Sequence, residues 1–465
     1  MAGLFGILNQ GSSGLMASRF AMNVTSQNVT NVNTPGYTRR TAVLSPVLPP
    51  PPGGGGVNIV GIHRFVNNYL EQRVFLGVSE KSYADVADSP LKQAEVMLAS
   101  EDGVGSDPAS ALDNLFSSIK RLEAEPDDTA LRREVLSSAK DLAVRINAAH
   151  DGIKGARDEA DLHIRDMASK ATELMQKIAA LNKKIGSSTY EAAPDLRDQR
   201  NQALKDLAEI IDITVKEDSL GKVTVLGSGG INLVQGEVTG ELRAVSSSGL
   251  GGYAELQFVE HSGTIHPITH AVRGGALGSL LNLRDNVMVD LNDKLDQFAY
   301  DTATAFNNVH SAGFGLDGVS GRNLFVQPLT VSGAAAAFSI DPSVDDNPDA
   351  VAAATDPTQL PGDNTNLHNL SALQDSLVAN GGTKTLSQAY SDIVAKIGIE
   401  KRSNDNDMSF KADALQQLEN MREEVSGVSV DEEMVNMMQF QRAYQASTKV
   451  LQTTNDMLDT LMNLT

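Results

Sequence analysis

Apolar residues return at every seventh position near both ends of this chain, and that spacing constrains the fold more than any other feature. Leu8, Leu15, Met22 and Val29 form the first series, with Leu4, Gly11, Ser18, Thr25 and Val32 as the alternating set. Val430, Met437, Tyr444, Leu451 and Leu458 form the second, flanked by Met434, Phe440, Leu461 and Met462. A sustained repeat of seven keeps one stripe of a helix against a partner helix. The spacing predicts terminal helices that pair with each other and with other copies of the chain. An ordinary core-facing helix gives the same stripe over four or five positions. The first series is the weaker one, because Gly, Ser and Thr allow close approach but bury little apolar area.

Charge separates the start of the chain from the rest. Residues 1–70 hold Arg19, Arg39, Arg40 and Arg64 and no Asp, Glu or Lys. The whole chain has a net charge of −21, so the other 395 residues carry −25. Such a body repels phosphates, which argues against a nucleic-acid partner. A long acid-free segment is costly to leave in water as a helix, so it is either disordered or buried in an assembly. Its Arg and Ser content also resembles an organellar transit peptide, but Pro35-Gly36, Pro49–Pro52 and Gly53–Gly56 continue an ordered plan past any leader. Gly3, Gly6 and Asn9 interrupt the apolar core that a secretory signal needs, and no apolar run is long enough for membrane insertion. Cys and Trp are absent, which excludes disulfides, thiolate chemistry and cysteine metal sites and fits an extracellular location. The length predicts two to four domains.

The fold class expected is mainly α: terminal coiled-coil-like helices plus a central helical bundle with a small antiparallel β insert. A first helix over 8–32 ends at Asn31-Val32-Asn33-Thr34-Pro35-Gly36-Tyr37, where Pro35 removes a donor and Gly36 permits positive φ. A helix begins near Phe65, and helices follow over 130–186 and 196–211. Alternation of two at Ile213/Val215, Val223/Val225, Ile231/Leu233 and Ala254/Leu256/Phe258 marks the insert. Helical spacing resumes from Leu283 to Val309 and at 386–424. The expected division is a terminal domain (1–65 with 425–465), a central bundle (66–212, 274–312 and 385–424), the insert (213–273) and a loop-rich outer segment (313–384). That last segment is rich in Gly, Ala, Asp and Pro, and is expected as a surface connection.

No spacing nominates a catalytic or metal site. Gly313-Phe314-Gly315-Leu316-Asp317-Gly318 has the dinucleotide-loop spelling but follows a helix instead of a strand, so it reads as a turn. His261, His266 and His270 cluster, yet His261 and His266 would face opposite sides of one strand. Asp405-Asn406-Asp407 lacks the Gly and terminal Glu of a calcium loop. No nucleophile and base stand at workable spacing. The expectation is a non-enzyme without cofactor or metal.

Three islands resemble one family. The segment from Ser26 to Tyr37 resembles the N-terminal signature of bacterial flagellar rod, hook and hook-associated proteins, and Glu432–Ala446 with Met457–Leu464 resembles their C-terminal signature. Arg39-Arg40, Ser426–Glu433, Leu196-Arg197-Asp198-Gln199-Arg200, Gly274–Asp285 and Phe306–Phe314 are similar to the hook-associated branch that joins hook to filament. Gln27 stands where Asn is common, and 313–424 is shorter than the large outer domain of many members. The resemblance implies a secreted, extracellular structural subunit in a helical homo-oligomer at the hook–filament junction. The implied partners are hook protein, hook-associated protein 3 and a type III export chaperone. The assembly interface expected on this basis comprises Leu8, Leu15, Met22, Val29, Asn31, Pro35, Gly36, Tyr37, Val430, Met437, Phe440, Tyr444, Leu451, Leu458 and Leu461. Rival readings are a rod or hook subunit, disfavoured by the helical middle, an axial protein with a fused extracellular hydrolase domain, and a secreted effector.

Overall fold

The structure is a computed structural model that describes residues 2–47, 55–99, 107–188, 193–218 and 220–462. The proline run at 49–52 lies outside the described residues. Helix accounts for 64% and strand for 12%, a mainly α fold with small antiparallel sheets. Helix α1 (Ala2–Thr30) leads into a hairpin, β1 (Arg40–Val47) with β2 (Gly56–Arg64), whose register shifts at Val43/Leu44. The body begins with α2 (Asn68–Leu98), α3 (Pro108–Ala124), α4 (Thr129–Ser187) and α5 (Ala193–Ile210). Side chains cap three of these starts: Asn67, Asp107 and Asp128 each accept from first-turn backbone N–H groups.

The β insert is two sheets instead of one. Strands β3 (Ile213–Glu217), β4 (Val223–Gly227), β5 (Asn232–Gln235) and β6 (Val238–Thr239) make the first; β7 (Glu241–Ser246), β8 (Ala254–Val259) and β9 (Ile265–Pro267) make the second. Ala254, Leu256 and Phe258 point inward from β8, as their alternation requires. Then come α6 (Gly275–Asn282), α7 (Met288–His310), α8 (Thr365–Ala372), α9 (Leu386–Ser426) and α10 (Val430–Met462).

Two apolar cores lie along α4, a helix of 59 residues. Val135 to Ala156 of α4 pack with α3, α7 and the start of α9, while Ala160 to Ala179 pack with α5, α6 and the sheets. At 1.5 Å per residue, α4 is roughly 90 Å long, enough to serve both.

The segment 313–384 differs from the surface connection expected. It is irregular apart from α8 and short turns, but Leu324, Phe325, Phe338, Val344, Val351 and, on α8, Leu367 are buried in the first core. Phe325 lies 5.8 Å from the Phe306 ring and 4.7 Å from Phe338. Side chains of the body replace a regular ladder. Asn307 Oδ1 accepts from the N–H groups of Leu324 and Phe325, and its Nδ2 donates to the Phe325 carbonyl at 2.9 Å. His310 Nε2 accepts from Ala352 N–H at 3.1 Å, while Nδ1 faces the Arg322 carbonyl at 2.8 Å. Irregular backbone held by side chains leaves no hydrophobic period to read.

Candidate functional site

Helices α1 and α10 lie side by side. The seam on α1 runs through the alternating set. Gly11, Ala17, Ser18, Ala21, Val24, Thr25 and Asn28 are buried, while Leu8, Leu15, Met22 and Val29 are half-buried beside them. Small residues at the centre let the backbones close. A Cβ at Gly11 would stand 2.9 Å from Leu451 Cδ2, and one at Gly14 3.0 Å from Ser447 Oγ. On α10, Met437, Phe440, Tyr444, Leu451 and Leu458 are half-buried, Thr454 is buried, and Val430 and Leu461 are exposed. Leu451 covers Gly11 of its own chain, so the pairing of the two series is within one molecule.

Beyond the seam an apolar face is left outward. Met16 is 61% exposed on α1, and Met434, Val435, Met438 and Met457 are 48–60% exposed on α10. Val43, Leu44 and Val60 of the hairpin are exposed as well. Several large apolar residues exposed along one pair of helices are the kind of surface that interaction sites use.

A buried polar node fixes the pair to the hairpin and the body. Asn28 Nδ2 donates to the Arg40 carbonyl at 2.8 Å and to Glu433 Oε2 at 2.9 Å. Its Oδ1 accepts from Tyr37 Oη at 2.9 Å and from Arg40 N–H at 3.2 Å. Burial pushes the Tyr37 phenol up to about 12, so it stays a donor. Glu433, 2% exposed, also accepts from Arg39 Nε at 2.9 Å. Arg40 reaches Asp195 and Asp198 of α5, each at 2.5 Å, and stacks over Tyr37 at 4.5 Å. Asp198 takes Arg64 from the hairpin too. Burial costs the Arg40 charge, but its bonds to Asp198 and Asp195 outweigh this and hold its pKa above the usual value.

The turn after α1 explains its signature residues. Asn31 Nδ2 donates to the Gln27 carbonyl at 2.9 Å, and Asn31 Oδ1 accepts from Thr34 Oγ1 at 3.1 Å. Gly36 has φ of +78°, which favours glycine. Asn31 and Gly36 are half-buried, and Pro35 is exposed. Asn28, Arg39, Arg40, Arg64, Asp198 and Glu433 form a node that periodicity does not find. The acid-free first 70 residues carried the signal, since their arginines require acids from elsewhere.

The other sequence motifs take structural roles. Gly313–Gly318 is a turn closed by Gly315 N–H to the Val319 carbonyl at 3.1 Å, with no helix start beside it. His261 and His266 do not share a strand, because β8 stops at Val259; His266 lies on β9 and faces Glu260 at 3.0 Å. Among the described residues, no group of three or more His, Asp or Glu is placed to hold a metal ion, and no helix is long and apolar enough to cross a membrane.

First and last helices packed together, with an apolar face outward, define a structural subunit of an assembly. The family described as the flagellar hook-associated protein FlgK helical domain matches residues 91–325, just over half of the chain. Flagella basal body rod protein matches 8–38, and the flagellar basal body rod FlgEFG protein C-terminal family matches 422–464. Flagellar hook-associated protein 1 of Escherichia coli (strain K12) is 24% identical, covering 98% of this chain and 99% of its own. Its namesake from Bacillus subtilis (strain 168) is 25% identical over 97% and 96%. The solved flagellar hook junction protein FlgK from Burkholderia pseudomallei shares the fold, with a TM-score of 0.68 and 16% identity over 76% of this chain and 100% of that one. The chain belongs to the flagellar hook-associated protein FlgK family. It is an exported structural component of the flagellum at the hook–filament junction, assembled with other axial components.

Proposed function

We propose that the α1–α10 pair and the hairpin form the contact surface through which copies of the chain join in a helical ring or tube. Hook protein contacts one side and hook-associated protein 3 the other. Residues of α10 divide into two groups: five of those expected from the sequence, and four outward ones that were not expected. Met437, Phe440, Tyr444, Leu451 and Leu458 hold the pair together, and the outward Met434, Val435, Met438 and Met457 meet the neighbour. A type III export chaperone covers the same apolar face of α10 before assembly. The body acts as a scaffold with no catalytic or metal-binding role.

The observation that carries this reading is the outward apolar face on α10, whose first turn is instead acidic and tied to Arg39. Val435→Asp places a charge on that face, 60% exposed, without touching the seam. Desolvating an unpaired charge at a contact costs several kcal/mol. Cells carrying Val435→Asp are expected to secrete the chain and unpolymerised filament subunits into the medium, and to build hooks without filaments in electron micrographs. Normal swimming would remove Val435 from the interface; retention inside the cell would assign it to export.

A further inference from the structure

A groove of about 640 Å3 runs between α1, β2 and α10. Its walls are apolar: Met16, Phe20 and Met22 from α1, Ile59 from β2 and Met437 from α10. Among the described residues, Arg19 is the one charge on its lining. That side chain is exposed and has no carboxylate within ion-pair reach among the described residues. Its neighbours in sequence offer none, because residues 1–70 contain no acid.

A second patch of the same chain has the complementary character. On α10, Met434, Val435 and Met438 stand three, four and seven positions after Asp431, so the four share one face. All four are exposed. Arg39 holds Glu432 and Glu433, whereas Asp431 has no cation beside it among the described residues. Within one chain Arg19 and Asp431 do not meet. Asn28 binds Glu433, which sets Asp431 near that level, and Arg19 lies nine residues back along α1, about 14 Å away. Arg442, the next charge along α10, is eleven residues beyond Asp431. It stands about 16 Å further along the axis, past the screening length at physiological salt. Met, aromatic and Arg side chains are enriched where proteins meet, and a groove that takes a different patch of an identical chain makes a head-to-tail contact that repeats into rings or tubes.

We propose that the groove of one copy takes the Met434–Val435–Met438 ridge of the next copy, with Arg19 paired to Asp431 of that copy. This rests on the assembly surface proposed above and gives it a polarity: each copy donates one ridge and accepts another.

The test exchanges the two charges in cells. Arg19→Asp sets like charges in the contact and should cut the number of filaments per cell about tenfold. Asp431→Arg should do the same, and the double exchange should restore the filaments. Co-expressing the two single variants should restore them in part, because each then meets its complement on a different chain, which a pair within one chain could not do. Both positions are exposed, so every purified variant should melt as the unaltered chain does. Asp456→Arg, further along α10, should not rescue Arg19→Asp. If Arg19→Asp is held inside the cell, cross-linking decides, since the chain has no cysteine of its own. Flagella carrying Arg19→Cys/Asp431→Cys subunits and treated with a short bis-maleimide should give a ladder of multimers on a denaturing gel, and neither single-cysteine form should. No rescue by the double exchange, rescue by Asp456→Arg instead, or no ladder would overturn the pairing. If Val435→Asp still removes filaments in that case, the assembly face stands and the groove-to-ridge contact is wrong; if Val435→Asp cells swim normally, the face itself fails.

Discussion

Asn28 uses both ends of its amide to hold four groups from three parts of the chain, and no other side-chain type of that size can do so. Asn28→Ala leaves Glu433 and the Arg40 backbone short of partners in a buried place, at a cost of about 2–3 kcal/mol. Amide exchange should quicken in α1 and α10 and stay unchanged in α4, since the α4 cores lie elsewhere. Asn28→Asp should be as damaging, because it sets a second carboxylate beside Glu433. His310 supplies a pH dependence. Burial lowers its pKa from 6.5 to about 4, so the unfolded chain takes up the proton first as pH falls. The stabilisation from a neutral His310 is complete above pH 6.5 and declines between 6.5 and 4, by roughly 3 kcal/mol in all. Differential scanning calorimetry across that range should show a steeper loss in the native chain than in His310→Gln. Parallel curves would place the acid sensitivity in other groups.

Between elements, the packing of α1 on α10 depends on Gly11 receiving Leu451. Gly11→Val overfills that contact and should cost about 1–3 kcal/mol. Adding Leu451→Ala returns the volume, so the double variant should recover slow amide exchange in α10 that Gly11→Val alone loses. The seven-residue repeat identified the inward face of α10, because large apolar residues form it. It placed the centre of the α1 seam one step aside, because there Gly, Ala, Ser and Thr do the packing and an apolar period does not register them. The polar node was out of reach for a different reason: Asn28 and Glu433 are 405 positions apart, and no local pattern joins them. The segment 313–384 was legible as irregular but not as core. Asp363 illustrates the difference. Its carboxylate accepts from Thr365 Oγ1 and from the N–H groups of Thr365, Thr355 and Asp356, which holds its pKa far below the usual range. A short tag after Asp363 should therefore lower the melting point by several degrees, whereas one after Leu329, 99% exposed, should not.

For the whole molecule, α4 makes the two cores one unit, since neither can open without fraying a helix that the other holds. A chain trimmed to 66–424 is expected to melt in a single calorimetric transition, as both cores remain, and two separated transitions would deny the coupling. The terminal pair has a different relation to the body, and its consequence lies in time. Gly11 leaves the ribosome some 440 residues before Leu451. At ordinary rates of synthesis that is an interval of roughly 20–90 s. Throughout it the body segments can find one another, but α1 has nothing to close against. Helix α1 is thus made long before its partner, and every subunit passes through a stage in which its acid-free, largely apolar surface stands open.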